Sequence, residues 1–372
     1  MTRKNLLLII SIIILSLLGG VVGGILVRSY FLNSSFDVPL FGAINVGGEY
    51  RDGNLVISQP KKVVVEQNAR IAAVAANAQK SLIDFYKKKP EIDVGASTDV
   101  RAALAGYYNP SERLGRGLVL TSDGWIITAL TGVKAGGMVA VGFDGTLFAV
   151  EKSITDKQSG YVFVKVNAVN LIAPQFSAKN DITNGQIIIG LAEDDVVISH
   201  VKQAHNDIGG ADVRSSESTY EVISLIDETL APGTVMVGLD GAVVGLYSDK
   251  GSAKPMYQYA WLLPGLLNNG AISWPYLGIR YLNLYEFIGP EKLKGALISR
   301  DARGVAVAKG SPAATAGLVE DDIIIAVDGR AVTTDDTFSD LIISRRPGDK
   351  IELAIIHDGA ERNVTLTLGT VE

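Results

Sequence analysis

His200, His205 and His357 are the only histidines, and cysteine is absent. A serine hydroxyl becomes a nucleophile when a base such as imidazole lies within hydrogen-bond reach, and Ser199 beside His200 is the one adjacent pair. The surrounding VVISHVKQAH reads as a strand, where neighbouring side chains face opposite sides, so these two do not form a dyad. A serine and lysine pair drawn from distant positions stays open, because no spacing specifies such a geometry. Acidic runs at 193–195 and 320–322 sit in turn-like surroundings without nearby histidine, and consecutive carboxylates rarely converge on one ion. No metal and no cofactor is expected. The absence of cysteine excludes disulfides, thiolate catalysis and Cys-ligated zinc.

The rest of the chain must position whatever chemistry exists. Its 372 residues allow about two domains, and 34 Lys plus Arg against 40 Asp plus Glu leave a net charge of −6. That charge provides no basic field for a phosphate backbone, so nucleic acid is not an expected partner. The run 6–27 carries no charge and is long enough for a membrane-spanning helix. Arg3 and Lys4 ahead of it put the N-terminus in the cytoplasm by the positive-inside rule, and the bulk of the chain outside. An anchor is expected rather than a cleaved signal peptide, because the run exceeds a signal core and no small-x-small site closes it. Residues 29–60 lack a sustained period and read as an exposed stalk.

From Ile71 the apolar residues Val74, Ala78, Leu82 and Phe85 recur at helical steps, and Lys87, Lys88, Lys89 and Pro90 are expected to end that helix. Residues 91–114 read as a long surface loop. Beyond 115 the period changes to two. Asp-Gly pairs begin at Asp52, Asp123, Asp144, Asp240, Asp328 and Asp358, mostly between β-rich runs, and Asp-Gly suits a two-residue hairpin because the turn needs positive φ. With 40 glycines, this predicts a mainly β protein of barrels or sandwiches.

Four segments in order resemble the HtrA (DegP-like) trypsin-fold proteases carrying a PDZ domain: GRGLVLTSDGWIITALTGV at 115–133, DKQSGYVFVKV at 156–166, LAPGTVMVGLDGAVVG at 230–245, and YLGI with GSPAATAGLVEDDIIIAVDGRAV. The resemblance implies two six-stranded barrels with a site between them, then a PDZ domain, usually in a trimer. The expected domains are a transmembrane anchor at 1–28, a stalk at 29–60, a trypsin-like double β-barrel at 61–265 and a PDZ domain at 266–372. Phe36 and Phe41 could supply aromatic contacts in a trimer or sit at the membrane interface.

The departures from the family are chemical. Where it has a catalytic histidine, an orienting aspartate and a nucleophilic serine, this chain has Thr131, Gly160 and Pro232. Neither a base nor a group to hold one exists at these positions. Pro232 also has no N–H, so an oxyanion donor is lost with the hydroxyl. In the PDZ domain, Tyr276, Leu277, Gly278 and Ile279 match the loop whose N–H groups take a peptide carboxylate. Phe338, Leu341 and Ile342 match the helix lining the pocket for the ligand's last side chain, or are ordinary core. The expectation is a membrane-anchored, extracytoplasmic pseudoprotease that binds peptides or unfolded C-termini as scaffold, adaptor or chaperone. Its rival is an active serine endopeptidase of envelope quality control with a displaced nucleophile.

Overall fold

The computed structural model describes residues 61–90, 104–192, 195–208, 212–227, 229–290 and 293–371, with short stretches at 16–17, 19–20, 35–38, 42–45, 50–51 and 54–55. The chain divides into two compact units, Met1–Ala69 and Arg70–Glu372. In the first, Ser35–Val38 pairs with Gly42–Asn45, and Tyr50–Arg51 with Asn54–Leu55, both antiparallel within the stretch read as a stalk. The apolar run 6–27 lies outside the described residues except at 16–17 and 19–20, and so does Phe41. No helix among the described residues is long and apolar enough to cross a membrane.

Helix α1 (Lys61–Gln79) buries Val74 and Ala75, and packs Ile71 and Ala78 against a core shared by two barrels. It stops earlier than its apolar spacing predicts. Leu82 and Phe85, expected on the helix, lie in strand β1 (Leu82–Lys87), where both are buried. A short apolar run fits either period, and LIDFY is rich in residues that favour strands. Pairing on both edges decides it, with β2 (Gly115–Val119) on one side and β4 (Met138–Gly142) on the other. In the expected loop that follows, Pro110–Glu112 forms a 3-10 turn capped by Asn109.

With β3 (Trp125–Thr128), β5 (Leu147–Thr155) and β6 (Val162–Val166), these strands close a first barrel in the order β6-β3-β2-β1-β4-β5. The second barrel closes as β7-β8-β10-β13-β12-β11. Its strands are β7 (Ile187–Leu191), β8 (Val196–Asp207), β10 (Glu221–Leu225), β11 (Val235–Gly238), β12 (Val243–Asp249) and β13 (Ser252–Pro255). The short β9 (Arg214–Ser215) belongs to neither barrel. Phe163, Leu118 and Trp125 of the first barrel share one buried cluster with Ile189, Val235 and Leu246 of the second.

Helices α2 (Tyr257–Ala260) and α3 (Leu263–Asn269) lead to the C-terminal domain. Its strands are β14 (Pro275–Tyr276), β15 (Arg280–Asn283), β16 (Ala296–Ile298), β17 (Ile323–Val327), β18 (Arg330–Ala331), β19 (Lys350–His357), β20 (Ala360–Thr367) and β21 (Gly369–Thr370), with helices α4 (Pro312–Thr315) and α5 (Phe338–Ile343). The main sheet runs β9-β15-β16-β17-β19-β20, so its outermost strand is donated by the connection between β8 and β10 of the second barrel.

The five Asp-Gly pairs from Asp123 to Asp358 all lie between paired antiparallel strands. At Asp328-Gly329 and Asp358-Gly359 both residues have positive φ, as a two-residue turn with the twist of the strands requires. Near Gly124 the backbone approaches closely instead. A Cβ there would stand 2.5 Å from the Val166 carbonyl oxygen, which only glycine permits.

Candidate functional site

The cleft where the two barrels meet is small, about 160 Å³, and Ala129, Leu130, Leu191, Pro232 and Gly233 supply much of its wall. Among the described residues that line it, Arg116 is the only titratable one. Its guanidinium is spent on structure: Nε donates to Asp84 Oδ1 at 2.7 Å and Nη1 to the Ala192 carbonyl at 2.6 Å. The one hydroxyl among the described lining residues, Thr234, donates to the Ala231 carbonyl at 2.7 Å. The Gly233 N–H is likewise taken, by the Tyr247 carbonyl at 2.8 Å. A Cβ on Gly233 would stand 2.9 Å from Ala129 Cβ, so the loop bearing Pro232 is pressed against the end of β3. Among the described residues of this lining, no side chain is placed to take a proton from a nucleophile or to hold a base.

Thr131 follows Leu130 into an exposed turn, and Pro232 is exposed on its own turn. Gly160, with φ of 77°, ends a tight turn whose organiser is Asp156. The buried Asp156 carboxylate accepts the N–H groups of Gln158 and Ser159, the Ser159 hydroxyl at 2.5 Å and the Trp274 indole N–H at 2.9 Å. Lys254 Nζ donates to the Ser159 carbonyl at 2.6 Å, and its burial lowers its pKa against the opposing pull of Asp156 and Asp249. This knot places a serine near a lysine, but the Ser159 hydroxyl is already given to a carboxylate.

The histidines take structural positions. Ser199 is buried and His200 exposed on alternate faces of β8, as the strand period predicts. His205 Nδ1 lies 2.8 Å from Glu221 Oε1, and His357 Nδ1 lies 2.5 Å from the buried Asp322. Of the acidic runs, 320–322 is held by these bonds and by the pair Arg300 to Glu320 at 2.7 Å. Residues 193 and 194 lie outside the described residues.

A second polar cluster ties barrel to C-terminal domain. Lys179 Nζ stands 2.6 Å from Glu221 Oε2 and 2.8 Å from Asp340 Oδ2 on α5, while Tyr257 donates its hydroxyl to Glu221. Burial alone would lower the Lys179 pKa, but the Asp340 and Glu221 carboxylates overcome it and hold the ammonium above its usual value. Nothing in the sequence pairs residues so far apart.

In the C-terminal domain, Leu277 and Ile279 are fully buried, and Gly278 between them has φ of 86°. A Cβ on Gly278 would lie 2.3 Å from Ser311 Cβ, so glycine alone allows the loop to pack there. Tyr276 pairs with Gly369 at the edge. Ser311 caps α4 by accepting the Ala314 N–H at 3.1 Å. Phe338, Leu341 and Ile342 are all buried in this domain's core, where the Phe338 ring meets Tyr281 edge-on at 5.1 Å between centroids.

The Leu277 and Gly278 N–H groups, directed outward from the loop, meet a carboxylate that sequence reading missed. Glu217 Oε1 accepts them at 3.3 Å and 2.6 Å. The next donor, the Ile279 N–H, goes to Ser216 Oγ at 3.3 Å. No local pattern marks Glu217, because the contact spans some sixty residues of chain.

A sequence profile for the PDZ domain matches residues 275–368. Among curated proteins, the chain is similar to the probable periplasmic serine endoprotease DegP-like of Halomonas elongata, 28% identical over 287 residues, covering 71% of this chain and 58% of the relative. The protein of the same description from Pseudomonas fulva is 26% identical over 289 residues, with 72% and 58% covered. Serine protease Do-like HtrA of Bacillus subtilis is 28% identical over 176 residues, 42% of this chain and 39% of that protein. The chain thus spans less than two thirds of the length of these relatives. Among solved structures, the HtrA-type protease AlgW with decapeptide superposes with a TM-score of 0.53 at 17% identity, over 81% of this chain and 99% of that one. The same protease with tripeptide gives 0.53 at 18% identity, over 81% and 97%. This second likeness is one of fold.

Proposed function

We propose that this HtrA/DegP-like chain with a C-terminal PDZ domain is a pseudoprotease: a membrane-anchored, extracytoplasmic protein that binds peptides or unfolded C-termini as a scaffold, adaptor or chaperone. The observation that carries this reading is the lining of the barrel cleft. A trypsin-like mechanism needs a hydroxyl, a base beside it and backbone donors aimed at the developing oxyanion. Here Pro232 contributes neither hydroxyl nor N–H, and the only cationic and hydroxyl groups among the described lining residues are bonded elsewhere. The peptide loop, in contrast, keeps its glycine geometry and its outward N–H groups.

The periplasmic description of the relatives and the apolar run at 6–27 support an extracytoplasmic bulk with a single N-terminal anchor. Assembly into a homo-oligomer, a trimer by resemblance, is part of the same reading. No cofactor, metal or nucleic acid enters it.

The test is a mass-spectrometric cleavage assay with the full-length chain in mild detergent, an unfolded substrate protein, and a Thr131→Ala/Pro232→Ala variant prepared identically. The expected result is no cleavage by either form; cleavage retained in both would point to a displaced site or a contaminant. Cleavage lost in the variant would overturn the reading and favour the serine endopeptidase that the relatives' names describe.

A further inference from the structure

The connection between β8 and β10 does not stay on its own barrel. Its strand β9 pairs antiparallel with β15, the strand that follows the carboxylate loop, with Arg214 opposite Tyr281 and Ser215 opposite Arg280. The chain then delivers Ser216 and Glu217 to that loop. The Ser216 N–H donates to the Ile279 carbonyl at 3.2 Å and its hydroxyl accepts the Ile279 N–H at 3.3 Å. The Glu217 carboxylate, only 6% exposed, accepts through Oε1 from Gly278, Leu277 and the Ser216 hydroxyl, and through Oε2 from the Ser215 hydroxyl and Arg280 Nη1, the latter at 3.3 Å.

Strand addition along an open edge, ending in a carboxylate on consecutive backbone N–H groups, is how a peptide terminus is captured by a loop and edge of this kind. The difference is that the carboxylate is a side chain and the strand is part of the same molecule. We propose that segment 214–217 is a built-in ligand of the PDZ groove, with Glu217 seated where a peptide's terminal carboxylate would sit, so that an outside peptide binds only by displacing it. This inference rests on the peptide-binding reading above and adds its regulation.

Two observations separate a seated ligand from a chance surface contact. The segment has its own anchor: Arg214 is 1% exposed, bonded to Asp207, 3.7 Å from Glu286 and over the Tyr220 ring at 5.4 Å, and the Ser215 N–H donates to the Tyr220 hydroxyl at 2.7 Å. The tether is also short, since β10 begins four residues after Glu217. A short tether holds the competitor at an effective concentration on the order of millimolar, so weak peptides are excluded and strong ones still enter. Release of the segment would pull on Glu221, the first residue of β10, whose carboxylate meets Lys179 and through it Asp340 on α5.

The experiment compares the full-length chain with its isosteric Glu217→Gln variant and with Ser216→Ala. Hydrogen–deuterium exchange is followed at residues 277–283, with the β19–β20 hairpin as the internal control for folding. Binding is measured with an equimolar set of fluorescein-labelled decapeptides ending in each amino acid, as free acids and as C-terminal amides. With the internal ligand weakened, exchange at 277–283 rises while the hairpin stays protected. Affinity for the free acids rises about tenfold to a hundredfold, the inverse of the fraction of molecules with an open groove. Amides stay unbound. Unchanged exchange and unchanged affinity in both variants would overturn the inference, and leave peptide binding standing if the wild-type chain already takes the free acids. Raised exchange with no free acid bound by any form would keep the internal ligand and sink the peptide-binding reading.

Discussion

The cleft between the barrels and the loop at 276–279 of the PDZ domain differ in the groups they present. In the cleft, where two closed barrels meet, the described lining residues offer hydrocarbon, a proline and polar groups already bonded. In the loop of the PDZ domain, backbone N–H groups are taken by a carboxylate from the connection between β8 and β10. A barrel is held by its strand pairing and core, which do not depend on three catalytic side chains, so a site of this kind can empty without loss of fold. A backbone binding site is made by the fold itself, so it survives wherever the loop does.

The largest effect should come from the link between the two regions. Lys179→Met leaves Glu221 and Asp340 buried without their cation and should cost about 3–5 kcal/mol, read as a lower midpoint in denaturant or heat. A change under about 1 kcal/mol would mean that this ion cluster adds little to the strand pairing and loop bonds that also join barrel and C-terminal domain. Next, Gly278→Ala forces a Cβ against Ser311 and an L-residue into positive φ, at a cost of about 1–3 kcal/mol, and should raise amide exchange in the carboxylate loop. Normal protection in that variant would mean the loop geometry is not what holds Glu217.

On the barrel side, Trp274→Phe removes the indole donor from buried Asp156 and should destabilise by about 1–3 kcal/mol in the same melt. No loss would place water in the indole's role. The smallest effect is expected from restoring the catalytic types together, with Thr131→His, Gly160→Asp and Pro232→Ser. Cleavage of an unfolded substrate, followed by mass spectrometry, should be weak at most, because Gly160 needs positive φ and the Gly233 N–H is already given to Tyr247. Vigorous cleavage would show that the cleft lost only side chains.

Much of this could be read locally. Asp-Gly turns between alternating runs announced the hairpins, because positive φ and a period of two are properties of a few adjacent residues. The separation of Ser199 from His200 followed from the same period. The apolar spacing through LIDFY continues a helical period, and only pairing with β2 and β4 makes it a strand. Segment 214–217 carries no local mark of its role: two serines and a glutamate read as any polar connection until the edge of β15 lies beside them.

The sequence by itself determined which groups exist: no cysteine, no histidine before His200, a proline at 232 and a glycine at 278. Covalent structure decides those matters, and no folding can add a missing N–H or thiol. Only the tertiary structure decided which of the remaining groups meet. The encounters of Glu217 with Gly278 and of Lys179 with Asp340 join residues 61 and 161 positions apart. Their energies depend on distance and burial in space, which the order of residues along the chain does not encode.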